Sequence, residues 1–135
     1  MPAFVSYGDN NRTQMIRTAG PGHFEDRTVS AACNPYLALA VHLTAGLEGM
    51  KQKTMPGQPN LGNMYERTLA EIQESGVKLL PQSLSEALDE LKQDAVVRGG
   101  MGPIAEEFLA LKAKEWESYD RQVTPFEVEQ YLTMI

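Results

Sequence analysis

The segment from Asn34 to about Lys53 constrains the fold most, because its apolar residues leave no side of a helix for water. Asn34 is a favourable N-cap, and Pro35 suits the first helical position, where its missing N–H has no partner. Apolar residues then cover almost the whole circumference: Tyr36, Leu37, Leu39, Ala40, Val41, Leu43 and Leu47. A helix that is apolar all round is a buried one. The sequence therefore predicts an enclosed helix, in which His42 is a hydrogen-bonded core histidine rather than a ligand.

Three short strands are predicted before this helix. The first lies near residue 4, and a turn at Gly8–Asn11 leads to a second strand from about Arg12 to Thr18. Another turn, at Ala19–Gly22, returns the chain through a third strand at residues 23–29. Glycine, proline and asparagine favour such turns. Because each strand follows the previous one through a short turn, we expect a small antiparallel β unit.

Start and stop signals mark further helices. Pro56–Asn63 contains two prolines and two glycines and predicts a loop, which a short amphipathic helix at about 66–74 follows. Ser83 and Glu86 form a capping box, the signature of a helix start. Gly99-Gly100 is expected to end that helix.

The last third of the chain predicts two more helices. A long one is expected from Pro103, and Thr124–Glu127 forms a second capping box before a terminal helix through Tyr131. The predicted fold class is α+β, with a small N-terminal antiparallel β unit followed by four or five helices.

Composition restricts the function classes. The chain has 135 residues, enough for one domain, and its net charge of −6 argues against binding to nucleic acid. The longest apolar stretch, Pro35–Gly46, is shorter than the about 20 residues that span a bilayer. No signal peptide is recognisable, and the single cysteine, Cys33, excludes an internal disulfide. We therefore expect a cytoplasmic protein that binds neither nucleic acid nor membrane.

The stretch HFEDRTV, residues 23–29, sets three functional side chains on one face of the predicted third strand. His23, Glu25 and Arg27 alternate with Phe24 and Asp26, because successive strand residues point to opposite faces. The simplest interpretation is an exposed strand face with a cross-strand ion pair, which contributes about 0.2–1 kcal/mol.

The alternative interpretation is an anion site shared with two arginines that come shortly before. Arg12 and Arg17 are five residues apart and would face opposite ways on a regular strand, so only a bulge or a turn would let them converge. Every fixed positive charge before Lys51 is an arginine, the better fork for phosphate or carboxylate. The residues alone leave both interpretations open.

Ordered motifs resemble the C-terminal part of the glutamine synthetase catalytic domain. The family's Asn-Arg-Ser/Thr segment, its second arginine and its Arg-x-Glu-x-Arg segment match residues 11–13, Arg17 and residues 23–27. Asn-Pro-Tyr-Leu-Ala then falls at Asn34–Ala38, and Ala-Gly-Leu-x-Gly at residues 45–49. The Pro-Gly loop, Ser-Leu-x-Glu-Ala-Leu at residues 83–88 and Thr-Pro-x-Glu-x-x-x-Tyr at residues 124–131 also match. The resemblance covers essentially all 135 residues.

The resemblance implies ATP-dependent ligation of ammonia, or of a small amine such as methylamine, to the γ-carboxylate of glutamate through γ-glutamyl phosphate. By resemblance, Arg12 and Arg17 face the transferring phosphoryl group, with Arg12 also near the substrate and Arg17 near the ATP phosphates. Arg27 would hold glutamate, and Glu25 would bind Mg²⁺ or Mn²⁺. His23 would contact nucleotide phosphates. Phosphoryl transfer depends mainly on such positioning and charge neutralisation.

Two departures from the family pattern stand out. His23 and Thr28-Val29 replace an arginine and a hydrophobic-Pro pair, which suggests a branch that includes γ-glutamylmethylamide synthetases. The chain also starts at Met1, inside the family's domain, and lacks the N-terminal portion that carries most of the metal-binding glutamates. Residues 1–135 are therefore expected to be an incomplete C-terminal portion, inactive alone, of a family that forms homo-oligomeric rings.

Two alternatives remain beside this interpretation. The chain could be a non-catalytic helical remnant that acts as an interaction module, because its most apolar helix would need a partner. It could also be a piece of another ATP-dependent carboxylate–amine ligase of similar fold, although the Asn-Pro-Tyr and Thr-Pro-x-Glu segments favour glutamine synthetase.

Overall fold

A computed structural model describes residues 3–132 of the protein, without the side chains of Leu69 and Gln73. The expected range of 1–135, including its start at Met1, extends beyond these described residues. Three strands come first: β1 (Tyr7–Asp9), β2 (Ile16–Gly20) and β3 (His23–Asp26). The helices are α1 (Pro35–Lys51), α2 (Leu69–Glu74), α3 (Leu84–Gln93), α4 (Ala95–Met101), α5 (Ala105–Asp120) and α6 (Pro125–Tyr131), with 3₁₀ turns at Met64–Glu66 and Gly102–Ile104. The predicted α+β class is confirmed.

The sheet is mixed, which corrects the prediction of an antiparallel unit. Strands β2 and β3 are antiparallel as expected, but β1 and β2 run parallel, with Tyr7 opposite Ile16. Residues 10–15 do not form a hairpin, because Asn10 adopts a left-handed φ of 47° and a turn at Asn11 reverses the chain again. Parallel strands usually need a longer crossover. Here the paired segment is so short that the chain returns over only about 10 Å.

Strand β3 ends earlier than predicted. Its last residue is Asp26, whose carboxylate Oδ1 accepts hydrogen bonds from the Thr28 backbone N–H at 2.8 Å and from the Thr28 hydroxyl at 2.6 Å. This local turn competes with continued strand pairing. Arg27 consequently lies just beyond the strand instead of within it.

Helix α1 starts as predicted, but the expectation that it is enclosed is wrong for the described chain. The Asn34 side chain accepts hydrogen bonds from the backbone N–H groups of residues 36 and 37. None of the residues of α1 is buried, and Leu39, Leu43 and Leu47 are each more than half exposed. Among the described helices, α4 is the one that packs against α1. One neighbouring helix can cover only one side of a cylinder.

The pair Gly99-Gly100 lies inside α4, although the sequence predicted that it would end a helix. Helix α3 instead stops at Gln93, and Asp94 caps α4. A Cβ at position 100 would lie 2.8 Å from the Thr44 Cβ, so the glycine allows α4 to approach α1. This extra break gives six α-helices among the described residues, against the four or five expected.

Both capping boxes mark real helix starts. Ser83 accepts from the Glu86 N–H, but the Glu86 carboxylate accepts from the N–H of Gln82 rather than of Ser83. At Thr124 and Glu127 the reciprocal pair is complete. The predicted loop at 56–63 and the short helix near 66–74 are also present.

The buried apolar side chains fall into two small groups. Phe4, Met64 and Ile72 form a cluster beside the sheet, with Ala3 and Val77 packed against it. Leu88, Met101, Ala105 and Leu109 are buried on α3, α4 and α5. Among the described residues, no helix has the length and apolar character needed to cross a membrane.

Candidate functional site

The turn that carries Arg12 is held by its two neighbours. The Asn11 Oδ1 accepts hydrogen bonds from the Thr13 N–H at 3.0 Å and from the Thr13 hydroxyl at 2.8 Å. The Asn11 amide donates to the Gly62 carbonyl oxygen at 2.9 Å, and the Thr13 hydroxyl oxygen accepts from the Met64 N–H at 3.1 Å. The Asn-Arg-Thr motif is therefore fixed to the chain that follows the Pro- and Gly-rich loop.

That loop is itself fastened to β1. The Tyr7 hydroxyl donates to the Gly57 carbonyl at 2.8 Å, and the Asn60 N–H donates to the Tyr7 carbonyl at 2.7 Å. Gly8 is required at this contact, because a Cβ there would overlap the Asn60 carbonyl oxygen. We call residues 7–15 together with 57–64 the loop clamp. It gives the Arg12 turn support from a segment about 50 residues away in the sequence.

Arg17 and Glu25 form an ion pair across β2 and β3, where their Cα atoms are direct partners. The Arg17 Nη1 lies 3.0 and 2.9 Å from the two Glu25 carboxylate oxygens, and its Nε donates to the Asn10 Oδ1 at 3.1 Å. Hydrogen bonding from Arg17, aided by the charges of Arg17, Arg27 and Arg12, lowers the pKa of Glu25 despite some desolvation. The cross-strand pair of the simpler interpretation is thus present.

Arg27 turns back across the Arg12 loop. Its backbone N–H donates to the Met15 carbonyl at 3.0 Å, and its Nε donates to the Arg12 carbonyl at 3.1 Å. The predicted strand from Arg12 is wrong, since β2 begins only at Ile16. Arg12 lies in a loop, so the parity of strand positions does not separate it from Arg17. The turn lets the arginines converge, as the second interpretation required.

The turn brings three positive charges of an acidic protein into the neighbourhood of one carboxylate. Three guanidinium groups, of Arg12, Arg17 and Arg27, act on the Glu25 carboxylate, whereas the whole chain carries −6. Guanidinium groups bind carboxylates and phosphates through two parallel hydrogen bonds. We call these four residues the arginine cluster, and its chemistry suits an anionic ligand.

His23 lies at the exposed tip of the β2–β3 hairpin, opposite Gly20. It is two residues along β3 from Glu25 and therefore on the same side of the strand. The structure thus places every predicted site residue on the β2–β3 hairpin or in the segments directly beside it.

Glu25 fits a metal only as one ligand of a larger set. Residues 3–132, as far as they are described, hold no group of three histidine, cysteine, aspartate or glutamate side chains near enough to bind an ion. Both oxygens of Glu25 already face Arg17. Mg²⁺ prefers several oxygen ligands, so any further carboxylates would have to come from outside these residues.

A contact between Asp26 and His42 was missed by the sequence analysis. The His42 Nε2 lies 2.7 Å from the Asp26 Oδ2, and its Nδ1 lies 2.7 Å from the Ala38 carbonyl oxygen. His42 is hydrogen-bonded as predicted, but its side chain is 38% exposed, so the expected core position is wrong. No pattern at a spacing of 16 residues announces such a pair, because only the turn after β3 brings α1 back beside it.

In this pair the pKa of His42 is raised and the pKa of Asp26 is lowered. Hydrogen bonds to Asp26 and to the Ala38 carbonyl raise the pKa of His42, against a smaller effect of desolvation. Partial burial alone would raise the pKa of Asp26, but hydrogen bonds from Thr28 and His42 together lower it. Since both ring nitrogens face oxygen acceptors, the contact is best satisfied by an imidazolium that donates from each.

Comparison with known proteins identifies the family. The family described as "Glutamine synthetase, catalytic domain" matches residues 1–131. The chain belongs to the glutamine synthetase catalytic-domain family. The resemblance inferred from the motifs is confirmed, and among the alternatives the different ligase of similar fold is set aside.

Relatives of both expected kinds are found among characterised proteins. A glutamate–methylamine ligase from Methyloversatilis universalis is 46% identical over 131 residues, which cover 97% of this chain and 29% of the relative. A glutamine synthetase from Methanosarcina mazei is 40% identical, over 99% of this chain and 31% of the relative. The chain thus spans about 30% of the length of these relatives.

Solved structures give the same fold. A GmaS/ADP complex superposes with a TM-score of 0.89 at 37% identity, and covers 97% of this chain and 30% of its own. Apo GmaS without ligand superposes with a TM-score of 0.86 at 37% identity, over 98% and 30%. The three-stranded sheet and the helices therefore correspond to a part of a GmaS chain.

Proposed function

We propose that this chain supplies the arginine cluster of a glutamate–amine ligase, which uses ATP to join ammonia or methylamine to the γ-carboxylate of glutamate. The observation that carries the proposal is a pair of contacts that link the three arginines and Glu25: Arg17 pairs with Glu25, and Arg27 donates to the Arg12 carbonyl. Membership of the glutamine synthetase family, with a glutamate–methylamine ligase and a glutamine synthetase among the relatives, supports this reaction class.

Arg12 and Arg17 are proposed to act on the reacting phosphoryl group. In the first step, a γ-carboxylate oxygen of glutamate attacks the terminal phosphorus of ATP and ADP leaves. In the second step, the amine nitrogen attacks the γ-carbon, phosphate leaves, and the nitrogen loses a proton. Negative charge is spread over the phosphoryl oxygens during the transfer, and fixed guanidinium groups stabilise it. The loop clamp holds Arg12 in place before any ligand arrives.

Arg27 is proposed to bind the glutamate substrate. Its Nε is occupied by the Arg12 carbonyl, which leaves its terminal nitrogens for a carboxylate. The backbone contact to Met15 fixes where this side chain starts. Substrate would therefore lie beside Arg12, the residue also proposed to contact it.

His23 and Arg17 are proposed to contact the phosphates of ATP, and Glu25 to be one ligand of Mg²⁺ or Mn²⁺. Such an ion supplies charge neutralisation to the phosphate oxygens when it is bound. Because Arg17 faces both Glu25 oxygens, Arg17 must share that carboxylate with the ion. An imidazole at position 23 provides a single donor to phosphate where an arginine would provide a fork.

The chain is proposed to be the C-terminal portion of the catalytic domain and to need the remaining portion for activity. One carboxylate cannot hold the metal, and the relatives are about three times as long. The exposed leucines of α1 are proposed to be covered by that remaining portion, and the ring assembly of the family is proposed for the complete enzyme. A cytoplasmic location is proposed with it.

A second candidate function rests on the same exposed face of α1. Leu39, Leu43 and Leu47 lie on one side of the helix, since residues four apart share a face, and they are 61%, 58% and 54% exposed. Such a stripe would also suit a non-catalytic interaction module. The two functions differ in one outcome. Activity of a completed domain that depends on the arginine cluster supports the ligase, because an interaction module requires no such cluster.

The test is a chimera in which this chain replaces the matched 131 residues of the Methyloversatilis universalis ligase. Phosphate release is measured with glutamate, ATP and either ammonia or methylamine. In an active chimera, Arg27→Ala should raise the KM for glutamate about tenfold or more, since it removes charge-assisted hydrogen bonds. The glutamate KM of Arg27→Lys should lie between those of the unsubstituted chimera and Arg27→Ala, because lysine keeps the charge but cannot form two parallel hydrogen bonds.

Arg121→Ala is the matched control, because Arg121 is an exposed arginine that pairs with Glu117 on α5, away from the arginine cluster. It should leave the KM values unchanged. An unchanged glutamate KM in Arg27→Ala would contradict the role of Arg27. Turnover by the 135 residues alone, dependent on ATP and a divalent metal, would contradict the proposed incompleteness.

A further inference from the structure

We propose that Asp26 and His42 are positioning residues for Arg27, so that helix α1 sets the orientation of the substrate-binding guanidinium. The inference rests on the proposed role of Arg27 and adds two residues to which the family motifs assign no task. Its basis is a continuous set of hydrogen bonds around the point where the chain leaves β3.

Asp26 is the centre of this set. One carboxylate oxygen accepts two hydrogen bonds from Thr28, and the other accepts one from His42 at 2.7 Å. The Asp26 side chain is only 11% exposed. A carboxylate with both oxygens engaged has one orientation, so residues 26–28 are held as a unit.

His42 connects this unit to α1. Its Nδ1 donates to the Ala38 carbonyl one turn earlier in the helix, which fixes the plane of the ring. Its Nε2 then points at Asp26. The imidazole is thus oriented by its own helix before it contacts the strand end.

Arg27 lies between these fixed residues. Asp26 precedes it, Thr28 follows it, and its own N–H is bonded to the Met15 carbonyl. Its side chain then has one hydrogen bond to the Arg12 carbonyl, which leaves the direction of the guanidinium dependent on the backbone at residues 26–28. Loss of the His42 contact would release one of the two Asp26 oxygens and widen the range of directions of Arg27.

A contact that only joined α1 to the sheet would lower the apparent kcat through the folded fraction of the enzyme and leave both KM values unchanged. A positioning role makes a different claim. Glutamate affinity should depend on the hydrogen bond to Asp26, whereas the affinity for ATP, which Arg17 and His23 are proposed to contact, should not.

Two substitutions at His42 separate the two hydrogen bonds. His42→Gln places an amide donor near the position of Nε2, toward Asp26, whereas His42→Asn places one near Nδ1, toward Ala38. In the chimera described above, His42→Asn should raise the glutamate KM about fivefold, with kcat and the ATP KM within about twofold. His42→Gln should keep the glutamate KM within about twofold of the unsubstituted chimera.

A second measurement needs no activity. Backbone ¹⁵N order parameters of residues 26–28 in the 135-residue chain should fall in His42→Asn and remain high in His42→Gln. Equal order parameters in the two variants, or an equal rise of both KM values in His42→Asn, would overturn the positioning role. An inactive unsubstituted chimera would instead contradict the proposed function, and the order parameters would still decide the role of His42.

Discussion

Helix α1 lies between the two segments of the loop clamp in the sequence, and the side chains of the two regions differ in how far they find partners. In the loop clamp, Asn11, Thr13 and Tyr7 all find hydrogen-bond partners within the chain. On α1, Leu39, Leu43 and Leu47 are each more than half exposed, although the sequence predicts a buried helix. The polar contacts of the loop clamp are made within the described residues, whereas the leucines of α1 remain largely exposed there.

The difference follows from the physics of the two contacts. A hydrogen bond needs one partner at a defined distance, and a few residues from a neighbouring loop can provide it. Burial of a helix needs apolar surface on all sides, and the cover must be as large as the area that is hidden. A part of a domain can therefore hold an ordered polar site while its most hydrophobic helix remains exposed.

The largest expected effect comes from the exposed side of α1. In the chimera, replacing Leu39, Leu43 and Leu47 together by glutamine should lower activity by about 100-fold or more, because each buried leucine contributes about 1.5–3 kcal/mol. In the isolated chain, the same variant should remain folded and self-associate less. Phosphate release and size-exclusion chromatography measure the two outcomes. Full activity of the triple variant would contradict the proposal that the exposed side of α1 is covered in the complete domain.

A matched triple variant controls for the loss of exposed apolar surface. Met55, Val123 and Leu132 are 83%, 75% and 70% exposed and lie outside both α1 and the loop clamp. Replacing them by glutamine should leave the activity of the chimera within about threefold, since isolated exposed apolar residues are normal on protein surfaces.

An intermediate effect is expected from glycine substitutions that compare the two regions directly. Gly8→Ala would place a Cβ against the Asn60 carbonyl and should lower the free energy of unfolding by about 1–3 kcal/mol. Gly46→Ala on α1 meets nothing within 4 Å and should raise it by about 0.5–1 kcal/mol. Urea denaturation measures both. If both substitutions changed the free energy of unfolding by the same amount and in the same direction, the packing at Gly8 would be no closer than at the exposed surface of α1.

The smallest effect is a pH dependence at the contact between Asp26, at the end of β3, and His42 on α1. The pKa of His42 is raised from 6.5, so its contribution is complete below that pH and is lost as pH rises through the higher folded value. The pKa of Asp26 is lowered from 3.8, so its contribution is complete above that pH and is lost on acidification. The pair should therefore stabilise the chain most between pH 3.8 and 6.5.

Thermal unfolding across pH 3 to 9 measures this dependence. The effect should be no more than a few degrees, since His42 is 38% exposed and ion pairs that solvent reaches contribute about 0.2–1 kcal/mol. The His42→Gln variant lacks the titrating imidazole and should lose most of the decline above pH 6.5. If the loss of stability above pH 6.5 were unchanged in that variant, groups other than His42 would be its cause.

Several predictions of caps and loops, which depend on neighbouring residues, were confirmed. The Asn34 cap, the Thr124–Glu127 box and the Pro56–Asn63 loop can be read from short stretches, because a cap or a turn forms among residues a few positions apart. The arginines and Glu25 were also chosen from local motifs and family resemblance. Their chemical roles remain predictions.

Predictions that depend on distant partners were less successful. The parallel pairing of β1 with β2, the continuation of α4 through Gly100 and the contact of Asp26 with His42 were all missed. For Gly100 the deciding partner is the side of α1, and for His42 it is the end of β3. The β1–β2 pairing follows instead from the turn at residues 10 and 11. No local pattern identifies which distant surface a residue will meet.

The sequence by itself determined the capped starts of α1, α3 and α6, the family and the set of charged side chains available for a site. The tertiary structure decided whether those charges meet, because Arg12, placed by spacing on the wrong face of a strand, lies instead in a turn that the loop clamp holds. It also decided that α1 stays exposed. Hydrogen bonds within a turn need only adjacent residues, whereas convergence and burial depend on how distant segments pack together.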